Sequence, residues 1–258
     1  MFEFLFTKTR PRPISVAYPP FEAVEVDIHS HLIPGVDDGA PDIATALSLM
    51  RHMQHLGFRK IITTPHISEL YPNSHQTILA GLAQLQRAAA EENLNLEFSL
   101  AAEYMINDMF EEKVANDEPL LTLPKRHILI EMSHLSEPVN LYSVLSLLIT
   151  KGYTPILAHP ERYRCYNGNM MYYEIIKSYG CRLQVNALSL VGYYGKQVAD
   201  CAWSLINHRM ADFIGSDIHH HRHLEAISQG ISADLQHVLL NYPFQNKQLF
   251  KKTAAITA

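Results

Sequence analysis

The chain lacks the features that mark several classes of protein. It has 3 cysteines in 258 residues, Cys165, Cys181 and Cys201. Their number is odd and no two form a C-x-x-C pair, which fits a reducing compartment without a disulfide framework. No uncharged apolar run approaches the roughly 18 residues of a membrane span. The opening "MFEFLFTKTR" has only a short apolar stretch, followed by charge instead of a cleavage site, so no signal peptide is expected. Positive charge is not in excess: 21 Lys and Arg stand against 26 Asp and Glu, a net charge of -5. That balance gives no basic footprint for nucleic acid, and the short "TKTRPRP" (7–13) reads as a solvated tail. There is no usable repeat and no low-complexity linker. These absences predict a cytoplasmic protein with neither a nucleic-acid partner nor membrane insertion.

At 47% hydrophobic residues, a chain of this length buries one large core. Pro11, Pro13, Pro19 and Pro20 predict an extended N-terminal arm over 1–20, ahead of one domain over 21–258. Strand-like runs fall at 24–28, 60–64, 96–102, 127–132, 155–158, 182–186 and 212–216. Between the first two, "PDIATALSLMRHMQHLG" has Asp42 as a cap and a helical apolar face through Ala46, Leu47 and Met50 to Gly57. Residues 74–92, 138–151, 170–179 and 196–208 also read as helices. Strands alternating with helices mean parallel βαβ units. About seven units predict an α/β fold with a closed or nearly closed barrel, with a doubly wound sheet as the alternative.

Histidine is abundant, with 15 in the chain. "VDIHSHLIPGVDDGA" (26–40) sets His29 and His31 two apart at a strand end, so both imidazoles face the same way, and Asp37 and Asp38 follow. Imidazole and carboxylate together are metal-ligand chemistry. In parallel α/β folds, chemistry gathers at the carboxyl ends of strands. The second predicted strand ends "TTPH" with His66, the third "AAEY" with Glu103 and the fourth "ILIEMS" with Glu131. The fifth ends "ILAHPER" with His159, and the seventh "IGSDIHHH" with Asp217 and His219. Any one of these is explained by a cap or a satisfied core polar group. Six strand ends together are costly to bury without a shared partner, and divalent metals supply one.

Taken together, "DIHSHLIPGVDDGA", "TTPH", "AAEY", "ILIEMS", "AHPERY" and "GSDIHH" resemble the PHP (polymerase and histidinol phosphatase) superfamily. More narrowly, they are similar to the bacterial manganese-dependent protein-tyrosine phosphatases of the CpsB/CapC/YwqE type, over about residues 24 to 223. The resemblance implies a distorted, TIM-like (β/α)7 barrel around three divalent metals, Mn foremost, with Fe or Zn as alternatives. His29, His31, Glu103 and Asp217 would hold the first, with Glu103 bridging to a second completed by Glu131 and His159. Asp38, His66 and His219 would hold the third. Asp37 would shape the Gly39 turn or orient a ligand. Arg162, Arg222 and Asp38 are the implied catalytic residues, and hydrolysis of phosphotyrosine would use water activated by the metals. The implied partner is a phosphotyrosine protein, an autophosphorylated bacterial tyrosine kinase regulating capsule or exopolysaccharide synthesis. Two departures stand out. An arm of about 20 residues precedes the metal strand, and the position expected to hold a second phosphate-binding arginine is Leu224, with Arg222 nearby.

Competing chemistries leave their own marks. A cysteine-based phosphatase loop, C-x5-R, needs arginine six positions after cysteine; those positions hold Met171, Ala187 and Asn207. An amidohydrolase barrel commonly has lysine near the fourth strand end, where this chain has Glu131. A small-molecule phosphatase such as histidinol phosphatase shares nearly all the ligands, and a non-catalytic metal-stabilised phosphoprotein scaffold would share them too. The tyrosines of "YRCYNGNMMYY" (163–173) and "VGYYG" (191–195) either pack the core or form a wall for a phosphotyrosine ring.

Overall fold

Runs rich in Ile, Leu and Val alternate with amphipathic helices along the chain. The computed structural model describes residues 19–166 and 168–251. Except for Pro19 and Pro20, the predicted arm lies outside the described residues. The first half contains β1 (Val26–Asp27), α1 (Ile43–His55), β2 (Lys60–Thr63), β3 (His66–Ile67), α2 (His75–Glu91), β4 (Glu97–Leu100), β5 (Glu103–Met105) and α3 (Asp108–Ala115). The second half contains β6 (His127–Glu131), α4 (Leu141–Thr150), β7 (Thr154–Ala158), α5 (Met170–Ser178), β8 (Arg182–Asn186) and α6 (Ala187–Leu190). It closes with α7 (Lys196–Asn207), β9 (Phe213–Gly215), α8 (His221–Gly230) and α9 (Ala233–Asn241). In α1 the Asp42 side chain accepts from Thr45 N at 2.7 Å, and Ala46, Leu47, Leu49, Met50 and Met53 are buried. The sequence pattern missed α3, α6, α8 and α9. The α8 segment "HRHLEAISQG" opens with basic and polar residues that hide its apolar positions, Leu224 and Ile227.

All strand pairs are parallel, as expected for βαβ units. They do not form one closed sheet among the described residues, as the predicted barrel would. Strands β1-β2-β4 make one sheet, and β3-β5-β6-β7-β8-β9 make another. The break falls at the ends of two predicted strands, at Thr64-Pro65 and Ala101-Ala102, after which the chain resumes as β3 and β5. Pro65 has no N–H to offer a ladder. Hydrogen bonds still run across the gap: Thr64 N to Ser30 O at 2.7 Å, Ala101 N to Thr63 O at 2.9 Å and Glu103 N to Pro65 O at 3.1 Å.

Side chains from both sheets meet. Because strand residues alternate faces, Ile128, Ile130 and Leu157 join the large core beneath the helices, whereas Leu129, Ile156 and Ala158 join Val26, Ile28, Ile62 and Phe213 in a second cluster. Beside β1 and β9 the backbones touch at their carboxyl ends, where Asp217 N donates to His29 O at 2.8 Å and His31 N to Ile218 O at 2.9 Å. Further back, side chains replace the ladder. Ser216 N and Oγ each donate to Asp27 at 2.8 Å. The buried Asn246 donates to Val26 O at 2.8 Å and Ile214 O at 2.7 Å, and accepts from Ile214 N at 3.2 Å.

Asn246→Ala removes these links and leaves buried backbone groups unpaired. It should cost about 1–3 kcal/mol, read as a lower urea midpoint at unchanged slope. An unchanged midpoint would mean that the seam between β1 and β9 does not depend on this side chain.

Candidate metal centre

Apart from Asp38, in the loop between β1 and α1, each predicted ligand lies at the start or end of a strand or just after one. His29 and His31 follow β1 and are fully buried. Their Nε2 atoms lie 3.2 Å apart, as their shared side of the extended chain requires. His66 opens β3, Glu103 opens β5 and Glu131 closes β6, while His159 follows β7 and Asp217 and His219 follow β9. His159 (φ 34°) and Asp217 (φ 52°) have left-handed backbones. Such conformations cost on the order of 1–3 kcal/mol each and concentrate at functional sites. Here they turn the chain off the strand at the point where the side chain must face inward.

Glu103 is the hub. Its Oε2 lies 3.1 Å from His29 Nε2, 3.4 Å from His31 Nε2 and 3.2 Å from His66 Nδ1, and its Oε1 is 3.1 Å from His159 Nε2. Asp217 Oδ1 is 3.3 Å from His29 Nε2 and 3.5 Å from both His31 Nε2 and His219 Nδ1. Glu131 approaches His66 Nδ1 at 3.0 Å and His159 Nε2 at 3.8 Å. Asp38 Oδ1 lies 3.6 Å from His66 Nε2 and 3.5 Å from His219 Nε2. All the predicted ligands therefore meet in overlapping groups whose ligand atoms lie within 4.8 Å of one another, a spacing that can hold metal ions. His134, three residues past Glu131, joins Glu131 and His159 in one such group and was missed in the sequence. The one signal for it was a further histidine just beyond a ligand-bearing strand.

Hydrogen bonds outside the cluster orient its imidazoles. Asp37 Oδ2 takes His31 Nδ1 at 2.9 Å and His66 N at 3.0 Å, while its Oδ1 takes Gly39 N at 3.0 Å. Asp37 thus both shapes the turn and fixes His31, leaving Nε2 toward the cluster. A Cβ at position 39 would meet His31 O at 2.2 Å, so only glycine permits this approach. On the other side, Gln184 Oε1 lies 2.7 Å from His29 Nδ1, and Gln184 Nε2 donates to Asn186 Oδ1 at 2.8 Å. Asn186 Nδ2 in turn donates to Asp217 Oδ2 at 2.7 Å. The sequence reading overlooked Gln184 and Asn186. Their signal was two amides at period two in the one predicted strand without a ligand at its end.

Burial opposes charge on His29, but Glu103 and Asp217 outweigh it and push its pKa up to about 9. Burial likewise opposes ionisation of Glu103 and Asp217, and the facing histidines, His29 foremost, hold both well below the usual carboxylate range. His159 is pushed down to about 3 by burial and then by Arg162, and His134 to about 4 by the same two causes. Among the described residues, His159 Nδ1 and His134 Nε2 are buried without hydrogen-bond partners. Clustered carboxylates, neutral imidazoles and unpartnered ring nitrogens fit divalent transition metals.

A cavity of about 410 Å³ opens over the cluster. Arg162, in the turn Pro160–Arg162 after His159, lines it and donates from NH1 to Asp217 Oδ2 at 3.0 Å, with its guanidinium 4.3 Å from the Tyr194 ring centre. Tyr71, His220 and His223 also line it, and none of them was among the residues singled out from the sequence. Arg222 is exposed on α8 and is not among the lining residues, while Leu224 is buried in the core. Of the predicted aromatic wall, Tyr194 reaches the cavity, whereas Tyr163, Tyr166 and Tyr173 pack in the core. The cysteines stand apart from the cavity lining, and burial raises all three thiol pKa values, to about 12 for Cys181 and about 11 for Cys201. That shift is opposite to what a nucleophilic thiolate needs.

Parallel strands whose ends converge on buried imidazoles and carboxylates mark the class of α/β proteins with a candidate metal centre. Within that class, the chain belongs to the CpsB/CapC family: the family's model, described as capsular polysaccharide synthesis, CpsB/CapC, matches residues 25–230. The chain is 30% identical over 227 residues to CapC of Staphylococcus aureus, covering 87% of this chain and 82% of that one. It is 32% identical over 197 residues to the tyrosine-protein phosphatase YwqE of Bacillus subtilis strain 168, covering 75% and 77%. Among solved structures it matches one from work on YwqE of Bacillus subtilis and CpsB of Streptococcus pneumoniae, described there as unique metal-dependent tyrosine phosphatases. That match has a TM-score of 0.75 at 27% identity and covers 88% of this chain and 96% of the other.

Asp37→Ala should keep the fold but free the His31 ring. Losing such an orienting partner typically weakens metal binding about 10–100-fold, measured by competition against a chromogenic chelator. Unchanged affinity would remove His31 from the metal-binding set.

Proposed function

We propose that the protein is a metal-dependent protein-tyrosine phosphatase acting in the cytoplasm. Its natural substrate is an autophosphorylated bacterial tyrosine kinase that controls capsule or exopolysaccharide synthesis. The observation that carries this reading is the meeting of His29, His31, Asp38, His66, Glu103, Glu131, His159, Asp217 and His219 beneath one cavity that Arg162 also lines. The family membership and the phosphatase relatives support the same chemistry. The scaffold is read as a distorted (β/α)7 barrel opened at Pro65, because residues of both sheets share one inner apolar cluster and β1 touches β9.

His29, His31, Glu103 and Asp217 would hold one ion. Glu103, Glu131 and His159 would hold a second, and Asp38, His66 and His219 a third, with manganese the preferred metal. When bound, such ions neutralise phosphate oxygens and make water a nucleophile near neutral pH. The chain's own residues do the rest. Glu103 touches ligands of each group, so it fixes their spacing. Arg162 offers a planar cation to a nonbridging phosphate oxygen, a contact lysine would not match. Tyr194 packs on that guanidinium and Asp217 fixes its edge, so the cation is oriented before substrate arrives. The leaving phenol has a pKa near ~10 and departs without a strong acid. Arg222, exposed and outside the cavity lining, has no part in this arrangement.

Hydrolysis of a phosphotyrosine peptide should exceed that of small alkyl phosphates, rise with added Mn²⁺ and be abolished by EDTA. The variant carrying Cys165→Ser, Cys181→Ser and Cys201→Ser should keep most of its turnover. Full activity after verified metal removal would overturn the proposal, and loss of turnover in the folded cysteine variant with metal content unchanged would point to a thiol mechanism.

Arg162→Ala should lower kcat/KM by about 2–4 kcal/mol of transition-state stabilisation. Asp217 loses its partner in this variant, so metal content is measured alongside. Wild-type kcat and KM on phosphotyrosine peptide would mean that the substrate lies elsewhere in the cavity.

A further inference from the structure

A second cavity, of about 290 Å³, adjoins the metal cavity and shares Ser68 and Met105 with it as common wall. The strand pattern produces this pairing. Neighbouring residues of a strand face opposite ways, so His66 and Glu103 serve the metal cluster while Ile67 and Tyr104, next along β3 and β5, line the second cavity. The floor is rigid. Tyr104 is buried, its ring is stacked on Phe110 at 5.0 Å, and its hydroxyl is bound at 2.8 Å by Leu121 N.

The far wall is Met109 on α3, half exposed although apolar. Asn73, also in the lining, is tied to the chain on either side: its Nδ2 donates to Val36 O at 2.8 Å and to His66 O at 2.9 Å. At the rim, Lys113 and Glu118 pair at 2.5 Å. Asn73, Asn107, Glu112 and Asn116 share the lining, but with Tyr104 and Phe110 on one side, Met109 on another and its rim cation already paired, the hollow suits an apolar side chain.

We infer that this second cavity is a subsite for an apolar residue of the substrate chain within two positions of the phosphotyrosine. The inference rests on the phosphotyrosine reading and deepens it. A peptide whose phosphate sits in the metal cavity and whose backbone leaves over Met105 and Ser68 would pass the second cavity. Residues two apart in an extended peptide are spaced by roughly 7 Å on one face, and the two cavities adjoin across Ser68 and Met105. The occupant is a peptide side chain because the hollow adjoins the cavity that the phosphorylated residue would enter, with Ser68 and Met105 lining both.

The test uses the metal-loaded full-length protein with free phosphotyrosine and phosphotyrosine peptides. The peptides carry leucine or serine at each position from two before to two after the phosphorylated residue. For at least one position, leucine should raise kcat/KM about 10-fold over serine, chiefly through KM. In Met109→Glu that ratio should fall to about 1, while kcat/KM on free phosphotyrosine stays at the wild-type value. Equal rates for leucine and serine at every position, or an unchanged ratio in Met109→Glu, would overturn the subsite and leave the phosphatase reading standing. A wild-type protein that hydrolyses none of these phosphotyrosine compounds would overturn both.

Discussion

Three buried carboxylates, Glu103, Glu131 and Asp217, crowd against the imidazoles of His29, His31, His66 and His159. Taking one such ion out of water costs several kcal/mol, and like charges at this spacing repel in a medium of low dielectric. The fold must answer that cost, and much of its local structure does so. Asp37, Gln184 and Asn186 spend their hydrogen-bonding groups on the cluster. Arg162 neutralises Asp217 from above. Divalent cations held by these carboxylates and imidazoles would balance the remainder.

The same constraint explains irregularities in the fold. Strands that ran unbroken would carry their ladders past the cluster and leave no room for inward-turning ligands. The chain instead stops β2 at Thr63 and β4 at Leu100, then restarts at His66 and Glu103, two of the residues the cluster needs. Left-handed backbones at His159 and Asp217 do similar work at the ends of β7 and β9. The large helix-covered core stabilises these local strains, since the helices pack on the opposite faces of the strands.

Much of this was legible in the sequence because strand ends and period-two spacing are local signals. The H-x-H pair, "AAEY", "ILIEMS" and "AHPERY" each read as a strand delivering one or two groups, and the structure brings those groups together. What stayed hidden was set by distance in space. His134 joins a ligand group through a loop whose course no local pattern encodes, and Tyr71 faces the cavity because Asn73 anchors its loop from two sides. Gln184 and Asn186 look like ordinary polar positions of a strand until His29 and Asp217 are seen opposite them. The break between the two sheets was hidden for a similar reason. Seven strand-like runs suggest an unbroken ring, but Pro65 divides the ladder and Asn246, far along the chain, supplies bonds between β1 and β9.

The central claim is that the buried carboxylates are held there to bind several metal ions. Native mass spectrometry of the folded protein, stripped of metal and then titrated with Mn²⁺, tests it directly. Stepwise mass increments up to three ions per chain are expected, with Glu103→Gln, the hub, losing more than one of them while remaining folded. A stripped protein that stays folded and takes up no ion at any Mn²⁺ concentration would contradict it.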